Sequence, residues 1–222
     1  MTARQEFSFT LPPRGPQPVD VVRQVGGAAV RGRAAASLRP RLESLLAQLA
    51  EQADAVRDGA TIERPWSPLT VRRDGQGLVL EVPDFDAEPL ERRTTDLTTV
   101  LSIEAAWERV ARAIALPAQP IRSDDTFLAV AGWQRCELLT MSRVEHPGAG
   151  DSGWFIEPHA DEPGTWDPEQ QEKLSAWMVQ LLRPAIVRAA AAPAGIAAVI
   201  QGDDIRVLVD QADGSVRAHG LL

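Results

Sequence analysis

The sequence is poor in cysteine and tyrosine and has no long apolar run. Its one cysteine, Cys136, excludes an intrachain disulfide and a cysteine-based zinc site. Residues 189–200, the least polar stretch, contain Pro193 and Gly195 and fall short of the roughly 20 apolar residues that a membrane span needs. The first residues contain no apolar secretory segment. We therefore expect a cytoplasmic protein that does not enter the membrane.

Motifs for cofactors and metals are also missing from the sequence. It contains no glycine-rich phosphate loop followed by lysine, and no dinucleotide-binding glycine pattern. His159 stands near three carboxylates, but prolines flank it and no second histidine has metal-ligand spacing, which favours an exposed acidic loop. The net charge of −8 and the absence of a basic stripe with stacking aromatic residues exclude a nucleic-acid binder. We expect no cofactor, no metal and no nucleic acid.

The acidic charge is concentrated in the second half of the chain. Residues 1–122 hold 16 arginines and 16 acidic residues, whereas residues 123–222 hold 7 basic and 15 acidic residues. The whole net charge of −8 therefore belongs to the last hundred residues. Because an acidic surface attracts basic partners and repels phosphates, we expect a protein partner with a positive charge.

Hydrophobic periodicity predicts an α+β fold in which antiparallel sheets pack against amphipathic helices. The predicted boundary at 121–125 divides the chain into an N-terminal subdomain, 1–122, and an acidic C-terminal subdomain, 123–222. In the N-terminal half the sequence predicts a strand at 6–11 and a helix at 38–59 with Pro40 in its first turn. An Asp-Gly hairpin is predicted at 69–82 and a helix capped by Ser102 at 102–117.

The C-terminal half is predicted to contain more strands and one further helix. The predicted strands are 127–131, 137–144, 153–156, 197–201 and 205–209. A cap and a proline at Asp167-Pro168 predict the start of the helix. Its predicted buried stripe consists of Leu174, Trp177, Met178, Leu181 and Leu182.

One segment of this half resembles a known family. The run 141–147 followed by Asp151-Ser152-Gly153-Trp154 resembles immunity protein family thirty-three of bacterial polymorphic toxin systems. Members have a strand ending in an Arg-acid-x-Pro-like turn, then Asp-Ser-Gly-Trp, then an acidic pair, which here is Asp161-Glu162. The similarity covers about 45 residues, roughly 123–168, and the chain has about 120 further residues before it. The resemblance implies a cytoplasmic protein that binds and blocks a cognate toxin.

These observations favour a non-enzymatic binding protein that neutralises a bacterial toxin or effector. The predicted partner-binding residues are loop tryptophans, the motif and the acids beside it: Trp133, Asp151, Ser152, Trp154, Glu157, Asp161 and Glu162. The motif also has a structural interpretation, with an Asx-turn at Asp151 and Trp154 anchoring the turn to the core. Two alternatives stay open: an accessory module of a secretion or effector complex, and a hydrolase using Ser152 and His159.

Overall fold

The chain folds into two β-sheets and four α-helices in the computed structural model, which describes residues 17–75, 77–87, 89–145, 147–160 and 166–221. The predicted α+β class is confirmed. The helices are α1 Arg39–Glu51, α2 Thr98–Ile114, α3 Ala176–Leu182 and α4 Pro184–Ala189. The strands are β1 Pro18–Val25, β2 Ala28–Ala35, β3 Thr61–Ile62, β4 Leu69–Asp74, β5 Gly77–Pro83, β6 Arg93–Thr94, β7 Thr126–Val130, β8 Leu138–Arg143, β9 Asp151–Pro158, β10 Gln171–Ser175, β11 Ile196–Gln201, β12 Asp204–Asp210 and β13 Val216–Leu221.

The first sheet has the strand order β1-β2-β5-β4-β3, and β6 pairs with β5. The β4–β5 hairpin confirms the Asp-Gly prediction. The β1–β2 hairpin is not among the elements predicted from the sequence. Its turn is Gly26-Gly27, with φ of 56° and 84°, and two positive φ values match a tight hairpin turn. The predicted strand at 6–11 lies outside the described residues.

The two long helices follow the predicted periodicity but not the predicted ends. Helix α1 buries Leu42, Leu45, Leu46 and Leu49 and has Pro40 in its first turn as predicted, but it ends at Glu51 before a short 3-10 turn. Helix α2 begins at Thr98, so the prediction of a cap at Ser102 is wrong. The helix follows Leu97 without a side-chain cap, and just before it the carboxylate of Asp96 accepts the N–H of Thr98 at 2.9 Å.

The second sheet has the strand order β10-β7-β9-β8-β11-β12-β13. Its pairs are antiparallel except for β7–β9, as the first sheet's are except for β2–β5. Strand β9 thus lies between β7 and β8, which are consecutive in sequence. Buried side chains on one face of this sheet belong to the same core as α3 and α4.

The long helix predicted to begin at Asp167 is wrong. Asp167 and Gln170 form a capping box, but it closes only the 3-10 turn Pro168–Gln170. The chain then enters β10 because Gln171–Ser175 pairs with β7, so tertiary pairing overrides the local helix signal. Leu174 is buried as a strand residue and Trp177 is half-buried. Met178, Leu181 and Leu182 of α3 are 38%, 47% and 44% exposed, which contradicts the predicted buried stripe.

Both sheets contribute to one hydrophobic core. The ring of Trp107 on α2 lies edge-on to Trp66, with centroids 5.9 Å apart, and its Nε1 donates to the carbonyl of Val187 at 2.7 Å. The indole of Trp107 therefore links the first half to α4. The division into subdomains at 122 stays a prediction. Among the described residues, no helix combines the length and the apolarity required to cross a membrane.

Candidate partner-binding surface

The Asp-Ser-Gly-Trp motif forms the start of β9. Asp151 Oδ1 accepts the N–H of Gly153 at 2.8 Å, which is the predicted Asx-turn. Gly153 has a φ of 77°, and a Cβ there would lie 3.1 Å from Pro147 Cβ, so the turn requires glycine. Ser152 Oγ donates to the carbonyl of Thr126 at 2.8 Å and fixes β9 beside the start of β7.

The tryptophan of this motif supports the turn that ends α4. Three successive carbonyls of this turn each accept a hydrogen bond from a different segment. The carbonyl of Ala190 accepts Trp154 Nε1 at 2.9 Å, and that of Ala191 accepts the N–H of Gln119 at 2.8 Å. The carbonyl of Ala192 accepts Arg143 Nη1 at 3.1 Å. Carbonyls at a helix end have no partner within the helix, so external donors are needed.

Arg143 strengthens the same arrangement from β8. Its guanidinium lies 5.7 Å from the centre of the Trp154 ring and also donates to the carbonyls of Ser152 and Gln119. Burial lowers the pKa of Arg143. The contacts of Arg143 and Trp154 give the motif a structural role, in agreement with the second interpretation of the sequence.

Three predicted partner-binding side chains are therefore corrected. Trp133 and Trp154 belong to the core, and Ser152 is buried with its hydroxyl bonded inside the chain. A buried side chain cannot contact a partner, so these residues do not belong to the binding surface. Asp151 is exposed, but its carboxylate holds the Asx-turn.

The suggested Ser152–His159 pair is not assembled. The two residues lie seven positions apart along the β9 direction, which corresponds to roughly 23 Å at the rise of an extended strand. His159 Nδ1 instead lies 2.8 Å from Thr140 Oγ1. His146 lies outside the described residues. Within the described ranges, no group of three or more histidine, cysteine, aspartate or glutamate side chains is arranged to hold a metal ion.

The described acidic residues of the second half are divided between the two ends of the second sheet: Asp124, Asp125, Glu145, Asp151, Asp210 and Asp213 lie at one end, and seven others lie at the opposite end. Strands β7, β9 and β11 end there, and β10, β8 and β12 begin there. We call the described residues of this end, 131–138, 157–160, 166–172 and 201–204, the acidic edge. It holds one basic residue, Arg135, and seven acidic residues: Glu137, Glu157, Asp167, Glu169, Glu172, Asp203 and Asp204.

Backbone hydrogen bonds join the segments of the acidic edge. The N–H of Gly202 donates to Glu137 O at 2.9 Å, that of His159 to Leu138 O at 3.1 Å, and that of Ala131 to Gln170 O at 2.7 Å. The carboxylates consequently lie on one continuous rim of the sheet.

Most carboxylates of the acidic edge keep their charge available. Only Asp203 forms an ion pair among the described residues, with Arg188 at 3.1 Å. Glu157 Oε2 accepts Trp166 Nε1 at 2.8 Å and Glu172 Oε1 accepts Gln134 Nε2 at 3.0 Å, which orients these side chains without neutralising them. Of the predicted acids, Glu157 is thus part of the edge and half-buried, while Asp161 and Glu162 lie outside the described residues.

A concavity lies in the first half, where β2, β5 and β6 meet the start of α2. Its volume is about 460 Å³, and Asp84, Asp86 and Asp96 line it. Partial desolvation, together with the charges of Asp84 and Asp96, raises the pKa of Asp86. This concavity was not predicted, because its three aspartates are spread over a polar connection without a recognisable pattern.

Comparisons with family models, with curated proteins and with solved structures found no match to this chain. The resemblance of residues 123–168 to the immunity family therefore stays a prediction. The exposure of the apolar face of α3 was not predictable, because the spacing of Met178, Leu181 and Leu182 is that of a buried stripe.

Proposed function

We propose that this chain is a non-enzymatic binding protein that neutralises a cognate bacterial toxin or effector in the cytoplasm, through direct contact of the acidic edge with a basic partner. The observation that carries this proposal is the presence of seven carboxylates at one end of the second sheet, where the basic side chains are Arg135 within the edge and Arg183 and Arg188 beside it. The resemblance of residues 123–168 to immunity proteins supports the same function.

The position of these charges matters more than their number. Four lie on the connections between strands and three at the strand ends beside them, where a rigid sheet presents loops to solvent and where binding residues are common. At physiological ionic strength exposed charges act over about 8 Å, so neighbouring carboxylates on one rim create a shared negative field. That field speeds the approach of a positively charged protein and opposes the approach of nucleic acid.

The first test measures association with the protein encoded by the neighbouring open reading frame. The two proteins are produced separately, and the association rate is followed by stopped flow between about 0.05 and 0.5 M salt. We expect the rate to fall about tenfold or more over this range, because salt screens the field of the acidic edge. A rate that does not change with salt, or no association at all, contradicts the proposal.

A matched pair of variants locates the contact. Glu137→Lys with Glu169→Lys reverses two exposed charges of the acidic edge, and Glu51→Lys with Glu145→Lys makes the same change in charge elsewhere. We expect only the first pair to slow association and to abolish protection of cells that express the neighbouring protein. Equal effects of both pairs would show that net charge, and not the acidic edge, determines binding.

A further inference from the structure

Helix α3 presents an apolar face to solvent beside the acidic edge. Met178, Leu181 and Leu182 are all more than a third exposed, although such side chains are usually buried. They are spaced three and four residues apart on a helix, so they form one continuous face. We call these three residues the α3 face. Exposed apolar groups that touch one another mark interaction sites more often than isolated ones do.

Contacts at the end of α3 place the α3 face against the acidic edge. Arg183, which follows the helix directly, donates from Nη1 to Cys136 O at 2.8 Å and from Nη2 to Gln134 O at 3.2 Å. Asp203 Oδ1 accepts the N–H of Ala185 at 2.7 Å. The end of α3 therefore lies beside two segments of the acidic edge, and the half-buried Arg183 is bonded to backbone carbonyls there.

The combination of an apolar centre and an acidic rim indicates the chemistry of the partner. We propose that the α3 face and the acidic edge together bind an amphipathic helix of the partner protein, one whose apolar stripe is flanked by lysine or arginine. The inference rests on the proposed function, since it names the element of the basic partner that is recognised. A second copy of this chain fits poorly, because it would bring a second acidic edge against the first.

The geometry of the α3 face suits a helix as its occupant. Side chains spaced three and four residues apart form a ridge that packs into the groove of another helix. Methionine adapts its shape to different apolar partners, and leucine fills the groove. Exposed carboxylates such as Glu137 and Asp204 then meet the basic residues at the margin of the stripe.

The test uses synthetic helical peptides of about 18 residues, a length at which an isolated helix is stable enough to measure. The first peptide has leucine at helical spacing and lysine elsewhere, the second has the same composition in scrambled order, and the third has glutamate in place of lysine. Binding to the full chain is measured by fluorescence anisotropy. We expect the first peptide to bind at least about tenfold more tightly than the scrambled one, and the acidic peptide not to bind.

Two double variants separate the α3 face from other exposed apolar residues. Leu181→Gln with Leu182→Gln alters the α3 face, and Val22→Gln with Leu90→Gln is the control, since Val22 and Leu90 are 59% and 85% exposed. All four positions are exposed, so the variants should keep the thermal midpoint of the parent chain. We expect the first pair to remove the preference for the helical peptide and the control pair to leave it unchanged.

The remaining outcomes distinguish this inference from the proposed function. If the Glu137→Lys, Glu169→Lys pair slows association with the neighbouring protein while the leucine pair has no effect on any binding, the acidic edge stands and the helix inference is overturned. Equal binding of helical and scrambled peptides overturns it as well. Self-association of the parent chain that the leucine pair abolishes would identify a second copy as the occupant and overturn it too.

Discussion

Replacement of Trp154 by phenylalanine should destabilise the protein chiefly through one lost hydrogen bond. The ring of Trp154 is buried, and its Nε1–H donates to the carbonyl of Ala190 at 2.9 Å. Ala190 is itself buried. In Trp154→Phe this carbonyl loses the indole donor in the protein interior, and such an unpaired group costs about 1–3 kcal/mol. The smaller ring adds the cost of lost packing.

Trp133→Phe is the matched control for this prediction. Trp133 is also fully buried, but its Nε1 has no hydrogen-bond partner among the described residues. The same substitution there shrinks the ring without breaking a hydrogen bond, and it removes an unpaired polar group. The difference between the two variants therefore isolates the bond to Ala190, and we expect Trp154→Phe to be less stable by about 1–3 kcal/mol.

The comparison is made by urea unfolding followed by circular dichroism, because six tryptophans make fluorescence changes hard to assign. Thermal melts provide a second measure, with about 2–4 °C expected for each kcal/mol in a chain of this size. Equal destabilisation by the two substitutions would refute the structural role of the indole N–H. Greater destabilisation by Trp133→Phe would refute it more strongly.

Three further predictions concern charged groups. Arg64 Nε donates to Glu104 Oε1 at 3.3 Å, and Glu104 is buried. Arg64→Met leaves this carboxylate unpaired and should lower the free energy of unfolding, measured with urea, by about 3 kcal/mol. Adding Glu104→Gln should restore most of this loss. The pKa of Asp86 is raised, so the stability that its protonated form provides is present below the ordinary value of 3.8 and is lost as pH rises through the folded pKa. Asp86→Asn should accordingly increase the urea midpoint at pH 7 and flatten its change between pH 3 and 7; an unchanged profile would contradict this. A hydrogen bond from Arg217 lowers the pKa of Asp210, so Arg217→Gln should move that pKa back toward 3.8 in an NMR titration, and an unmoved pKa would show that the pair is not formed.

Local signals in the sequence were sufficient for elements that are fixed by local chemistry. The Asp-Gly turn predicted β4–β5, and the leucine spacing predicted α1. The Asx-turn at Asp151 was also predicted, since it needs only residues two positions apart. These elements are determined by residues that are close together in the sequence.

Pairing between distant residues was beyond the sequence signals. Residues 171–175 become a strand only because β7 lies beside them, although Asp167-Pro168 is a good helix start. The burial of Trp133 and Trp154 likewise depends on residues distant in sequence, since Trp154 Nε1 donates a hydrogen bond to the carbonyl of Ala190. For the candidate surface, the excess of carboxylates is visible in the sequence, while the strand order determines that seven of them share one edge.

The connection between the two sheets has a consequence for how the molecule unfolds. The N–H of Ser123 donates to the carbonyl of Trp66 at 2.8 Å, and the carbonyl of Ser123 accepts the N–H of Trp177 at 2.9 Å. Nearby, the N–H of Gln119 donates to the carbonyl of Ala191 just after α4. Neither half can therefore loosen without releasing bonds that hold the other. Amide protons on both sides of this connection should exchange with solvent in a single cooperative opening, so the protein would be cleared or retained by a cell's proteases as one unit.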